Sequence, residues 1–114
     1  MRILLDIDGT IAAWDTVKEH GFGPGTRPYD RRVHDLIAAH QVTLFSRNPE
    51  IGAWATLLGC EFLTKPSPGT PGLDLREVDV LIDDECEVFA YHCALAERFP
   101  SLDAFLAAHP AGTP

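Results

Sequence analysis

Apolar positions along this chain follow two rhythms. Some form short unbroken runs, and the rest recur every three or four residues. Ile3-Leu4-Leu5-Asp6-Ile7 is an apolar run with an acid near its end, which predicts a strand buried on both faces. Gln41-Val42-Thr43-Leu44-Phe45-Ser46 predicts a second strand, Glu61–Thr64 a third, Val78–Asp83 a fourth and Leu95–Phe99 a short fifth. Between them, residues 29–40 carry Val33, Leu36, Ile37 and His40 at helical spacing. The next helix is punctuated by Asn48 as its cap, Pro49 at its first position and Gly59 at its exit, with Ile51, Trp54, Ala55 and Leu58 as its core stripe. Residues 86–93 predict a short helix, and Ser101 caps a final one carrying Leu102, Phe105 and Leu106. Asp8-Gly9-Thr10 turns the chain. Residues 11–28 show no period, and Gly21-Phe22-Gly23-Pro24-Gly25 within them reads as a flexible flap. Lys65–Gly72 is a loop, and Ala111–Pro114 are expected to fray.

Strands alternating with helices predict an α/β fold: a Rossmann-like three-layer α/β/α sandwich with a mostly parallel central sheet. The 114 residues suit one domain spanning 1–114, and a hydrophobic fraction of 46% suffices for its core. Parallel strands put their C-terminal ends on one edge, where ligands bind.

Charge narrows the partners. A net charge of −8 with only Arg31-Arg32 adjacent excludes a general nucleic-acid binder, which needs clustered Lys and Arg. No apolar run is long enough to span a membrane, and the early acid at Asp6 does not fit a signal peptide, so a cytoplasmic protein is expected. Cys60, Cys86 and Cys93 form no C-x-x-C pair and read as reduced thiols. His20, His34, His40, His92 and His109 lack metal-ligand spacing and read as structural or solvated.

Four polar signals fall at or just after predicted strand ends. Asp6 and Asp8 follow the first, Ser46 ends the second, Lys65 follows the third, and Asp83-Asp84 follow the fourth. Any one alone is ordinary: Asp-Gly makes turns, and an Asp pair caps helices. All four on one edge are not. Converging carboxylates repel and raise one another's pKa, and a bound cation removes that cost. Mg²⁺ prefers oxygen ligands and a substrate phosphate, and Lys65 adds a second positive group, so carboxylates, metal and phosphate make chemical sense together.

The same residues resemble the haloacid dehalogenase (HAD) superfamily, chiefly its phosphatases. Asp6-Ile7-Asp8-Gly9-Thr10 resembles the first motif of that family, Ser46 after Val42–Phe45 the second, Lys65-Pro66 the third and Leu81-Ile82-Asp83-Asp84 the fourth. The resemblance implies that Asp6 attacks phosphorus to form an aspartyl-phosphate. Asp8 would protonate the leaving oxygen and then activate water. Ser46 and Lys65 would hold the phosphoryl oxygens, with Arg47 as a further phosphate contact. Mg²⁺ would be bound by Asp6, the Asp8 backbone carbonyl and Asp83, with Asp84 in support. Only residues 11–28 separate the first motif from the first helix, and 18 residues lie between Ser46 and Lys65, too few for a cap domain. The chain therefore resembles the capless branch. An open site of this kind could admit a large substrate, such as a phosphoprotein or a nucleic-acid end, or a small molecule if a homo-oligomer covers it; with a net charge of −8, a small phosphorylated metabolite or nucleotide is expected. Trp14, Lys18 and Arg47 are candidates to meet the leaving group.

Three other readings keep parts of this chemistry. A receiver-type signalling module shares the sheet and the residue types, but runs acidic pair, acceptor Asp, hydroxyl, Lys, whereas this chain runs Asp-x-Asp, hydroxyl, Lys, acidic pair. A phosphate-binding module would keep the fold without turnover. A phosphotransferase would pass the phosphoryl group to a hydroxyl other than water.

Overall fold

In the computed structural model, which describes residues 1–67, 70, 75, 77–89 and 93–110, the sheet is entirely parallel, with five strands among the described residues. The strands are β1 (Arg2–Leu5), β2 (Gln41–Ser46), β3 (Glu61–Thr64), β4 (Val80–Ile82) and β5 (Glu97–Phe99). Their order across the sheet is β3-β2-β1-β4-β5. The chain thus winds outward from β1 to β3, then returns to the other side of β1 for β4 and β5. That reversal leaves a crevice beyond the carboxyl ends of β1 and β4, the place where such sheets bind ligands.

Alternation along each strand sorts side chains into two layers. Ile3, Leu5, Val42, Leu44, Val80 and Ile82 face one side, in a core with Val33, Leu36, Trp54, Leu58, Leu102 and Phe105. Those partners come from α2 (Val33–Ala39), α3 (Ile51–Leu58) and α4 (Leu102–Ala108), while α1 (Val17–His20) is a single exposed turn. Leu4, Phe45 and Leu81 face the other side and pack on Leu75, Val78, Cys86, Phe89, Cys93 and Ala96. That layer includes the 3₁₀ helix Cys86–Phe89. The result is the expected three-layer fold, and its radius of gyration of 13.4 Å is that of a compact chain of this length.

Element boundaries differ from the expected ones where side chains intervene. β1 stops at Leu5 because the Ile7 carbonyl accepts from Thr10, Ile11 and Ala12 and folds the chain back. The helix expected from residue 29 begins at Val33, since Asp30 occupies the entry: its carboxylate accepts from Arg32 N and its carbonyl from Val33 N. α3 begins at Ile51, two residues after Pro49, with Asn48 Oδ1 accepting from Glu50 N at 2.7 Å and Gly59 closing the helix at φ +72°. Its four stripe residues are all buried. Ser101 caps α4 as expected, its Oγ accepting from Ala104 N at 3.1 Å. The expected fifth strand is shorter, Glu97–Phe99, and the helix expected at 86–93 is described only as the 3₁₀ helix Cys86–Phe89. Part of the 65–72 loop, His92 and the terminal residues 111–114 lie outside the described residues.

The stretch expected to be a flexible flap is instead fastened. The Phe22 carbonyl accepts from Asn48 Nδ2 at 2.9 Å, from Trp54 Nε1 at 2.7 Å and from Arg27 Nη1 at 3.3 Å. Among the described residues, no helix is long and apolar enough to cross a membrane. Arg32 pairs with Asp30 and Asp103, and Arg31 lies over the Tyr29 ring, so the one adjacent basic pair is engaged within the fold.

Candidate active site

Backbone pairing carries Asp6, Lys65 and Asp83 one step past their strands. Asp6 N donates to Ile82 O at 2.9 Å, Lys65 N to Ser46 O at 3.0 Å and Asp83 N to Phe99 O at 3.0 Å. Each side chain is therefore held at the carboxyl edge by the sheet's own ladder, so its position is fixed by strand register. All six motif residues line one cavity of about 410 Å³, together with Trp14, Arg47, Asn48 and Phe89.

At its floor, oxygens of Asp6, Asp83 and Asp84 lie within 4.8 Å of one another. Asp6 and Asp83 are buried, and Asp84 is exposed. Lys65 reaches into this group, with Nζ 2.5 Å from Asp83 Oδ2 and 3.4 Å from Asp6 Oδ1. The Phe45 and Phe89 rings lie 5.6 and 5.7 Å from the ammonium and steady it. Thr10 ties the turn to the floor: its Oγ1 donates to Asp6 Oδ2 at 3.4 Å and accepts from Asp84 N at 3.2 Å. Gly9 is required where this turn passes Asp84. Its φ is +82°, and a Cβ there would collide with the Asp84 carboxylate and come within 2.8 Å of Trp14 Nε1.

Burial first, and the neighbouring Asp83 charge second, push the Asp6 carboxyl up to about 8, against the opposing pull of Lys65. The Asp84 carboxyl is also pushed up, chiefly by burial. A carboxyl this strongly perturbed, in a cleft and beside a specific charge partner, marks a functional site.

Asp8 is set apart from this trio. Its carboxylate lies on the cavity wall, but its Oδ1 accepts from Arg27 Nη1 at 2.6 Å and from Asn48 Nδ2 at 3.3 Å. The expected convergence of four carboxylates is thus three carboxylates around Lys65, with the fourth paired to a buried arginine. Ser46 Oγ is buried and accepts from Asn48 N at 3.0 Å, which leaves its hydroxyl proton for a ligand. Arg47 stands at the rim, exposed, with Nη2 donating to Pro66 O at 3.2 Å. Trp14 is also at the rim and 57% exposed. Lys18 lies on α1, exposed and outside the cavity lining.

Two site residues escape a reading of the sequence. Arg27 carries no motif, and Asn48 reads as a helix cap, yet both meet Asp8. The available signal for Asn48 was its position two residues past Ser46. Arg27 left none.

The donor set suits a hard divalent cation. Three carboxylates supply oxygen ligands only, as Mg²⁺ requires. The four aspartates against Lys65 and Arg27 leave two formal negative charges, which one divalent ion balances. Comparison with protein-family models, curated proteins and solved structures found no match to this chain.

Proposed function

We propose that this protein is a magnesium-dependent phosphohydrolase of the capless HAD phosphatase type, acting on a phosphomonoester through a phosphorylated Asp6. One observation carries the reading. A buried aspartate sits at the switch point of a parallel sheet, within a three-carboxylate cluster and 3.4 Å from a lysine. That combination supplies a nucleophile and, once its carboxylates hold a divalent ion beside the lysine, would neutralise a transferring phosphoryl group.

Asp6, Asp83 and Asp84 would hold the ion, joined by the Asp8 backbone carbonyl as the family resemblance implies. When bound, Mg²⁺ supplies Lewis-acid stabilisation of the phosphoryl oxygens. The protein's own groups do the rest. An Asp6 carboxylate oxygen forms a bond to phosphorus as the bond from phosphorus to the leaving oxygen breaks. Asp8 gives that oxygen its proton. In the second half, Asp8 takes a proton from water as the water attacks phosphorus, and Asp6 departs as the free carboxylate. Lys65 and the Ser46 hydroxyl donate to the non-bridging oxygens, and Arg47 waits at the rim for a second anionic group.

The cavity volume of about 410 Å³ supports a small phosphorylated metabolite or nucleotide. The three cysteines are free thiols, which supports a cytoplasmic setting. The stretches 11–28 and 47–64 are occupied by short turns, α1, α3 and β3, which supports a capless enzyme with an open mouth.

The test is hydrolysis of 4-nitrophenyl phosphate with and without Mg²⁺, in wild type and Asp6→Asn. Metal-dependent turnover lost in the variant is expected. Turnover that survives Asp6→Asn would remove the nucleophile assignment. Magnesium and phosphate binding without any turnover would favour the phosphate-binding module. Phosphoryl transfer to added alcohols in preference to water would favour a phosphotransferase.

A further inference from the structure

We propose that Arg27 is a positioning residue: buried behind the cavity wall, it fixes the carboxylate that moves the proton, Asp8, and couples it to the loop around Phe22. The inference rests on the phosphohydrolase reading and adds to it a residue that no motif supplies.

Arg27 cannot act on substrate directly. Its side chain is 0% exposed, and it is absent from the residues lining the cavity. Burying a guanidinium is costly unless its donors are met, and here they are. Nε donates to Thr16 Oγ1 at 2.8 Å, Nη2 to Ala13 O at 3.0 Å, and Nη1 to both Asp8 Oδ1 at 2.6 Å and Phe22 O at 3.3 Å. The planar fork is thus held from several directions, and its orientation dictates where the Asp8 carboxylate lies.

Asn48 completes the arrangement from the opposite side. Its Nδ2 donates to the same Asp8 Oδ1 and to the same Phe22 carbonyl. Both donors converge on one carboxylate oxygen, so Asp8 Oδ2 is the oxygen left for the substrate. A carboxylate free to rotate would lose the near-attack placement on which proton transfer depends. The Phe22 carbonyl, which also accepts from the buried Trp54, anchors the assembly to the core.

The test is a double-mutant cycle. Arg27→Met and Thr16→Val are each made in wild type and in Asp8→Asn, with folding monitored by circular dichroism and thermal melting. Thr16→Val leaves both charges in place and removes the acceptor that orients Nε, together with the hydroxyl's own bond to Ala13 O, the carbonyl that holds Nη2. Turnover is measured with 4-nitrophenyl phosphate and with an alkyl phosphate, which needs the proton more; in Asp8→Asn, whose second half-reaction is slow with any ester, the burst of 4-nitrophenolate reports the first half-reaction.

In wild type, Arg27→Met is expected to lower kcat roughly 10- to 100-fold, more for the alkyl ester, with KM within about twofold. Thr16→Val is expected to lower kcat about threefold with KM unchanged. In the Asp8→Asn background both changes are expected to have less than about a twofold effect, since the group they position is gone. Losses that multiply in that background, a fall appearing mainly in KM, or an unchanged kcat in Thr16→Val would overturn the positioning role. Should Arg27→Met not fold, Thr16→Val alone decides between these outcomes. A wild type without turnover on either ester would overturn the phosphohydrolase reading and this inference together, whereas an active wild type with multiplicative losses would overturn this inference alone.

Discussion

Replacing Asp6 with asparagine removes the proposed nucleophile, and it should also make the metal-free protein more stable. Asp6 is buried, with the Asp83 charge beside it, and its carboxyl is pushed from 3.8 up to about 8. Below about pH 4 the carboxyl is protonated in both folded and unfolded chains, and no penalty exists. As pH rises from about 4 to 8, the unfolded chain releases this proton while the folded one retains it. The folded state then binds more protons than the unfolded one, so stability falls with pH, by about 1.4 kcal/mol per pH unit for one full proton. The full rise corresponds to about 6 kcal/mol. Lys65 and Asp83 adjust as Asp6 ionises, so the share a single substitution recovers is smaller, about 2–4 kcal/mol. Asparagine has the same shape and does not titrate. The variant should therefore match wild type near pH 4 and exceed it increasingly toward pH 8, where its melting temperature should stand higher by about 10 °C or more. The assay is thermal or urea unfolding of chelated protein at several pH values. Magnesium should then reverse the order, since ligand at a thousandfold excess over its Kd adds about 4.1 kcal/mol to the form that binds it. A variant whose advantage is the same at pH 5 and pH 8, or which is less stable at both, would refute the argument that Asp6 is a strained, buried acid.

Further predictions follow from the same geometry. Exhaustive chelation should abolish turnover and Mg²⁺ should restore it; full activity in the chelated enzyme would contradict the metal role of Asp6, Asp83 and Asp84. Ser46→Ala removes a buried hydroxyl at the phosphate end and should lower kcat/KM about 100-fold, and stability by about 1 kcal/mol because Asn48 N loses its acceptor, checked by steady-state kinetics beside a thermal melt. Gly9→Ala places a Cβ against Asp84 at φ +82° and should cost about 1–2 kcal/mol in unfolding experiments while weakening Mg²⁺ binding measured by calorimetry. Trp54→Phe keeps an aromatic ring in the core but removes the donor to Phe22 O; it should lower stability by about 1 kcal/mol and loosen the loop, read as faster amide exchange at residues 21–27.

Much of this fold was legible because its strands are short apolar runs ended by polar residues. Val42–Ser46 and Leu81–Asp83 announce both the strand and the group it delivers, and parallel winding brings those ends to one edge. Boundaries were less legible, because they depend on single side chains: Asp30 delays α2 by taking the first amides for itself, and the Ile7 carbonyl ends β1 by accepting three amides at once. The carboxylates of the floor could be named because their strands deliver them in register. The grip on Asp8 could not, since Arg27 reaches it from 19 residues away and Asn48 from 40, through a loop with no periodic signal. Lys18 lies outside the cavity lining for a related reason: α1 is a single turn with no buried side chain, and its facing is not encoded in an apolar stripe.

The most direct test of the central claim is to trap the intermediate. Wild type turning over a phosphomonoester with Mg²⁺ is quenched with borohydride, which reduces an acyl phosphate to the alcohol, and the peptide containing Asp6 is examined by mass spectrometry. Substrate-dependent conversion of Asp6 to homoserine is expected, absent without metal and absent in Asp6→Asn. Turnover with Asp6 recovered only as aspartate, or with the reduction at another carboxylate, would contradict it.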